Sequence, residues 1–357
     1  MREIILLIVF MVIVFGCVAF GAEKSTVELN PEFEDHLINA LRTHNTKWNE
    51  YINNTQAFVL FHFSDIHGDQ EELARLADFY NHYQKYFDDA ICTGDIIHMT
   101  GLDDFTFWGK TPGTEKIMFI LGNHDFLNNA EWNWNKRFSK EELFDNYFAP
   151  YIKNWNVTYT KGCPYYYKDY PNKKIRLIAI DGSFRGKDDE DQVAWLKEAL
   201  TGAKDKDYSV IIAQHYNPAD AIQIKCNFTD EDHAGHDGPV GDMTPYFKAV
   251  DGFMNEGGKF VCWIGGHTHW EQFGYNKDFP KQLFYNIDAA NIELCLMYSN
   301  VNRIKGKRSQ DLANVMVVDT TTNTIKLIRV GANQTNLLIQ RNGICINYKT
   351  YEVISQF

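Results

Sequence analysis

The absences in this 357-residue sequence narrow its chemistry before any motif is read. None of the seven cysteines stands in Cys-x-x-Cys spacing, which argues against a zinc knuckle or a thioredoxin-type redox site. Positive charge is in deficit. With 35 Lys and Arg against 47 Asp and Glu, the net charge is −12, and the broad basic footprint that nucleic acid requires is missing. An acidic total still permits an anionic small substrate, because bound divalent cations would reverse the local field. There is no internal repeat, no low-complexity linker and no compositional break between two folding units, so one large domain is expected. Hydrophobic residues at 45% and charged residues at 23% are globular values that exclude wholesale disorder.

The N-terminus carries a targeting signal. Arg2 precedes an unbroken apolar run from Ile4 to Phe15, followed by small residues around Gly16, Ala19, Gly21 and Ala22. Residues 1–22 have the layout of a secretory signal peptide, with Ala19-Phe20-Gly21 at the cleavage position. The uncharged span Ile4 to Ala22 is also long enough for an uncleaved membrane anchor, and Val14-Phe15-Gly16-Cys17 is similar to a lipoprotein box. All three readings place the body of the protein outside the cytoplasm, secreted or tethered to the outer face of a membrane. In such an oxidising compartment Cys163, Cys226, Cys295 and Cys345 could form disulfides, whereas Cys92 and Cys262 lie in apolar strand-like runs and read as buried thiols.

Residues 23–56 read as an N-terminal helical brace, with Asn30 capping, Pro31 at the first helical position, and Phe33, Leu37, Leu41, Trp48 and Tyr51 at helical spacing. Residues 57–357 read as the main domain, with a β-rich C-terminal portion. Its first buried strand, Val59 to Ser64, stops at Asp65-Ile66-His67-Gly68-Asp69, and Asp69-x-x-Glu72 then opens a helix striped by Leu73, Leu76, Ala77, Tyr80, Tyr83 and Phe87. In an extended chain Asp65 and His67 would point the same way, a carboxylate and an imidazole aimed together at a strand's C-terminal lip. Later apolar runs end alike. Ala90 to Thr93 leads to Gly94-Asp95, Lys116 to Leu121 to Gly122-Asn123-His124-Asp125, Ser209 to Gln214 to His215, and Lys259 to Ile264 to Gly265-Gly266-His267-Thr268-His269.

Helices are expected near Lys140 to Phe148 and over Asp188 to Leu200, a hairpin over Tyr165 to Lys168 and Ile175 to Ile180, and further strands at Gln282 to Asn286, Asn314 to Asp319 and Ile325 to Val330. A Gly- and Asp-rich insertion follows His215. Strands alternating with helices predict an α/β layered fold whose ligand crevice lies beyond the carboxyl ends of the strands.

Taken together, Asp65-Ile66-His67, Gly94-Asp95, Gly122-Asn123-His124-Asp125, His215 and Gly266-His267-Thr268-His269 resemble the calcineurin-like metallophosphoesterase superfamily, over roughly Val59 to Val330. The resemblance implies a four-layer αββα sandwich of two mixed β-sheets flanked by helices, with a binuclear metal centre between the sheets. By that resemblance Asp65, His67 and His269 bind one divalent ion, Asn123, His215 and His267 the other, and Asp95 bridges them. It also implies that His124 binds no metal but assists the leaving group, with Asp125 orienting its imidazole.

Two cations about 3.5–4 Å apart can share a hydroxide and clamp the attacking and leaving oxygens of an in-line displacement at phosphorus. Nitrogen and oxygen donors without thiolate suit Zn, Mn, Fe or Ni alike. Gly94-Asp95-Ile96-Ile97-His98 lacks the tyrosine ligand of purple acid phosphatases and the Asp and Arg of serine/threonine protein phosphatases. What remains is a secreted bacterial-type phosphoesterase acting on a small phosphorylated substrate such as a nucleotide, a sugar phosphate or a phospholipid headgroup. The membrane would be met only through the N-terminus. The alternative is a non-catalytic binding or scaffold protein that keeps this fold.

The remaining candidates have plainer readings. His62 and His98 are expected as packed or loop-lining histidines rather than as spare or supporting ligands, and His233 and His236 as part of a solvated acidic loop rather than an extra metal site. Arg185 reads as readily as a surface cation as a phosphate ligand. Tyr165-Tyr166-Tyr167 and Trp132/Trp134 read as packing rather than as a platform for a base or sugar.

Overall fold

The computed structural model describes residues 57–98, 102–126, 138–182, 187–216, 221–224, 242–292, 303–306, 310–331 and 343–356. The expected targeting segment (residues 1–22) and helical brace (residues 23–56), together with Trp132, Trp134, Arg185, Cys226, His233, His236 and Cys295, lie outside the described residues.

Two sheets carry the fold. The first has the order β15 (Val353–Gln356), β14 (Gly343–Asn347), β13 (Thr324–Gly331), β12 (Leu312–Asp319), β1 (Phe58–Phe63), β2 (Asp89–Cys92), β3 (Met118–Phe119). The second has the order β4 (Thr158–Tyr159), β5 (Tyr166–Tyr170), β6 (Ile175–Ala179), β7 (Ser209–Ala213), β9 (Lys259–Gly265), β11 (Phe279–Asn286), β10 (Gln272–Asn276), β8 (Ala221–Gln223). Strands β1, β2 and β3 run parallel to one another, as do β6, β7, β9 and β11. Five segments that leave carboxyl ends of these parallel strands (after β1, β2, β3, β7 and β9) carry the residues singled out above.

Period-two alternation builds the layers. On β1, Phe58 and His62 face the other sheet, meeting Tyr170 and Tyr285, while Phe61 packs on Phe79 and Tyr80 of α1 (Gln70–Tyr83). On β6, Leu177 and Ala179 join the core between the sheets, and Ile178 joins a second core on the far face. That second core is closed by Leu196 and Leu200 of α4 (Lys187–Asp205) and by Tyr246, Phe247, Val250 and Phe253 of α5 (Thr244–Asn255). The result is the expected helix–sheet–sheet–helix sandwich. Near the edge, α2 (Leu102–Lys110) places Phe105 and Trp108 against Phe119, and α3 (Lys140–Leu143) is opened by a Ser139/Glu142 capping box.

Some boundaries differ from the sequence reading. The expected third strand pairs over only Met118 and Phe119, because a tight 3-10 turn at Thr114–Lys116 uses the preceding residues. The helix near Lys140 continues past Leu143 as a wide π-type turn that buries Phe144, Tyr147 and Phe148 together. Helix α5 follows the Gly- and Asp-rich insertion, in a stretch where no element was expected, and β4, β8, β10, β14 and β15 were not foreseen. Cys163 and Cys345 are free thiols, as are the buried Cys92 and Cys262. Tyr165 and Tyr166 are buried, consistent with a packing role for the tyrosine cluster. No described helix is long and apolar enough to cross a membrane.

Candidate metal centre

The loops after β1 and β2 continue to pair where the strands stop. The Asp65 N–H donates to the Gly94 carbonyl at 3.0 Å, His67 to Asp95 at 2.9 Å and Gly68 to Ile96 at 2.8 Å. This pairing holds Asp65, His67 and Asp95 in the left-handed backbone region, at φ of 57°, 47° and 51°. The extended geometry read from the Asp-x-His spacing is therefore not the one adopted, yet the two side chains still converge, with His67 Nε2 at 3.7 Å from Asp65 Oδ1. His267 and His269 share the conformation, so among the described residues five of the ten non-glycine residues at positive φ are expected metal ligands. Strain concentrated this way marks a site whose geometry is imposed by function rather than local preference.

Asp95 sits at the centre. Its Oδ1 accepts the His124 N–H at 2.9 Å, and its Oδ2 lies 3.2 Å from His215 Nε2 and 3.7 Å from His67 Nε2. On one side, His269 Nε2 is 3.3 Å from Asp65 Oδ1 and 3.1 Å from His67 Nε2. On the other, His215 Nε2 is 3.2 Å from Asn123 Oδ1, and the His215 and His267 rings are 5.0 Å apart. Donor atoms of Asp65, His67, Asp95 and His269 all lie within 4.8 Å of one another, and so do those of Asp95, His215 and His267. Imidazole nitrogens and carboxylate oxygens that crowd together in this way fit divalent cations, since each cation would replace repulsion among lone pairs with coordination.

Neighbouring loops hold each donor. Nδ1 of His215 donates to the Thr93 carbonyl at 2.7 Å, which fixes the ring and leaves Nε2 facing Asp95. The His267 N–H donates to the Asp65 carboxylate at 3.1 Å. From below, the Ala290 and Asn291 N–H groups donate to the carbonyls of Ser64 and Asp65, and Arg303 grips the carbonyls of Ala289 and Ala290. Nothing in Asp288-Ala289-Ala290-Asn291 signals this support in sequence.

His124 and Asp125 part company. Asp125 does not orient the His124 imidazole as expected; its carboxylate turns back to accept N–H bonds from Ile96 and Ile97 at 2.9 Å and Gly122 at 2.8 Å. The His98 carbonyl takes that role, accepting from His124 Nδ1 at 2.7 Å. The His98 side chain also stands beside the site, its ring 5.8 Å from both His124 and His67. From sequence, loop lining was favoured for it over a spare or supporting ligand.

Glycine is required where the loops touch. A Cβ on Gly122 would meet Asp95 Oδ1 at 2.1 Å, and one on Gly94, at φ +103°, would meet His215 Nδ1 at 2.6 Å. Gly122→Ala is therefore expected to cost about 1–3 kcal/mol of stability and to reduce bound metal, since Asp95 itself must move. Thermal melts paired with metal analysis check this; a variant with unchanged metal content would contradict it.

Protonation follows from burial and charge. Burial pushes His67 down to about 4 and His267 down to about 3, so both rings are neutral near pH 7. Burial would also lower His215, but the Asp95 carboxylate outweighs it and raises His215 to about 9. A cation entering beside His215 must expel its proton below that pH. Metal uptake at pH 7 to 8 is expected to release at least one proton, and apparent affinity to rise about tenfold per pH unit before flattening near 9. Titrations with Mn²⁺ across this range, in buffers of different ionisation enthalpy, test it; affinity that falls with pH would be the wrong sign.

A profile of calcineurin-like phosphoesterases matches residues 58–271. The chain belongs to the calcineurin-like phosphoesterase family. As a member of that family, with clustered His and Asp donors, this phosphoesterase is a metal-dependent phosphoric ester hydrolase. Among solved structures, a purple acid phosphatase from yellow lupin (Lupinus luteus) seeds is similar at 11% identity and a TM-score of 0.52, over 82% of this chain and 54% of that one. A dimetal phosphatase from Danio rerio is similar at 11% identity and a TM-score of 0.47, over 82% of this chain and 99% of that one. At such identities the likeness is one of fold. No curated protein matches the sequence.

Proposed function

We propose that this phosphoesterase hydrolyses a small phosphate mono- or diester outside the cytoplasm, using two divalent cations. Asp65, His67 and His269 would hold one, Asn123, His215 and His267 the other, and Asp95 would serve both. One observation carries the reading: Asp95 belongs to both donor groups at once. When bound, the cation pair makes water nucleophilic at neutral pH and polarises the phosphoryl oxygens.

The chain's own residues do the rest. Paired imidazoles and few carboxylates keep the loaded site cationic, which favours an anionic ester. The His98 carbonyl, by accepting from Nδ1, leaves His124 Nε2 turned toward Asp95 at 3.8 Å, the direction from which a leaving oxygen could be protonated. His124→Asn is expected to lower kcat by about 10²–10⁴-fold on alkyl phosphates and much less on p-nitrophenyl phosphate, whose leaving group needs no proton. An equal loss on both esters would remove His124 from that role.

The extracytoplasmic setting rests on the layout of residues 1–22. Nucleotides, sugar phosphates and phospholipid headgroups are the substrate classes to compare. A phosphate-release screen over these three, with and without chelator, tests the function. Protein that carries metal yet hydrolyses no ester, aryl esters included, would leave the scaffold reading standing.

A further inference from the structure

Beneath the metal centre a series of buried polar groups crosses the largely apolar interface between the two sheets. It begins at Thr93, whose carbonyl holds His215 Nδ1 and whose Oγ1 lies 2.9 Å from His62 Nε2. The His62 ring meets Tyr285 edge-on at 5.8 Å, and the Tyr285 hydroxyl donates to Glu271 Oε1. Asn314 Nδ2 donates to the same oxygen at 2.7 Å, and Glu271 Oε2 pairs with Arg329 Nη2 at 2.5 Å. His62, Glu271, Tyr285, Asn314 and Arg329 are all at most 1% exposed.

The two ends of this chain are informative. Glu271 stands two residues after His269, so its carboxylate ties the segment carrying that histidine to β13 in the opposite sheet. Thr93 stands two residues before Asp95 and holds His215 directly. These contacts, hydrogen-bonded or ion-paired except for the ring packing of His62 on Tyr285, therefore run from one donor group to the other through the junction of the sheets. A buried ion pair is a poor stabiliser, because desolvation consumes most of the attraction and apolar replacements are often neutral or better. Its presence here, anchored beside His269, calls for a role other than stability.

We propose that Glu271, Arg329, Tyr285 and His62 are positioning residues that set the separation of the two metal-binding halves by locking the His269 and His215 segments to a common buried strut. The inference rests on the metal-centre reading above. Groups that orient ligands from behind typically change metal affinity or activity by about 10–100-fold when removed.

The test is a Mn²⁺ titration of metal-free protein, read by binding isotherm and by the spin-coupled spectrum that two adjacent Mn²⁺ ions give. The variant is the double replacement Glu271→Leu with Arg329→Met, which removes both charges together. The control is Asp169→Asn with Arg176→Met, an ion pair near the ends of β5 and β6 away from the site. The strut variant is expected to bind Mn²⁺ about 10–100-fold more weakly and to lose or alter the coupled spectrum, with the control unchanged in both. Unchanged affinity and spectrum in the strut variant, or equal weakening in the control, overturns the proposal. If the double variant does not fold, Tyr285→Phe decides, since it removes one hydroxyl from the middle of the strut. About tenfold weakening then sustains the proposal, and none overturns it. If Asp95→Asn binds Mn²⁺ as tightly as wild type, the metal-centre reading falls and this inference with it.

Discussion

Asp95→Asn should lower kcat/KM by on the order of 10³-fold or more while the protein stays folded. Loss of a group that merely orients a ligand typically costs about 10–100-fold, and Asp95 is the carboxylate common to both donor groups, so its removal should exceed that range. Asparagine is the informative replacement. It keeps an oxygen to accept the His124 N–H, now bonded at 2.9 Å, and removes only the charge that faces His215 and His67. Alanine would leave those buried donors unmet, at about 1–3 kcal/mol, and confuse misfolding with lost chemistry. Metal analysis beside hydrolysis of an aryl phosphate reads the result. Full metal content with an unimpaired rate would show that Asp95 does not join the two sites.

The charge argument also predicts how the variant titrates. Burial alone would raise the Asp95 carboxyl, but the charges of His215 and His124 outweigh it and hold it well below the usual carboxylate range. In return Asp95 keeps His215 protonated to about 9 in the metal-free protein. Without that carboxylate only Asp65 and the Thr93 carbonyl oppose burial at His215, so fewer protons should be released on any residual metal binding.

Five of the parallel strands (β1, β2, β3, β7 and β9) were legible because each is an apolar run too short for a helix and closed by an unambiguous donor: Asp65, Asp95, Asn123, His215 or His267. Helix α5 was missed although its signal existed. Pro245 at the first turn and the spacing of Tyr246, Phe247, Val250 and Phe253 mark it, but Gly-Asp-rich sequence before it masks the start. Strands β10, β14 and β15 lead to none of these donors, and what makes each a strand is the neighbour it pairs with: β10 on β11, β14 on β13 and β15 on β14. The left-handed backbone at Asp65 and His67 was also out of reach. It is imposed by bonds to Gly94 and Asp95, about 30 residues away in sequence, and no residue preference announces it. Asp125 misled for the opposite reason: adjacency to His124 invites a pairing, and the turn sends its carboxylate back to the Ile96 and Ile97 amides instead.

Chelation should abolish hydrolysis and lower the melting temperature by on the order of 10 °C, both returning with Mn²⁺. At free metal about a hundredfold above Kd, each bound cation contributes about 2.7 kcal/mol to the native state, so two give about 5 kcal/mol. A domain of this size moves by roughly 2 °C or slightly less per kcal/mol, which sets the expected shift. The geometry gives a reason for a substantial response. Five non-glycine residues at positive φ surround the site, each costing about 1 kcal/mol or more, and coordination is what would offset that cost. His67 Nε2 and His269 Nε2 lie 3.1 Å apart, close enough for one cation to take both nitrogens. Raising pH in the chelated protein should therefore destabilise it as the His215 proton is lost near 9, whereas the metal-loaded protein should not follow that curve. A melting curve indifferent to chelator and to added Mn²⁺ would mean the donor cluster holds no cation, and the scaffold reading would then be the better one.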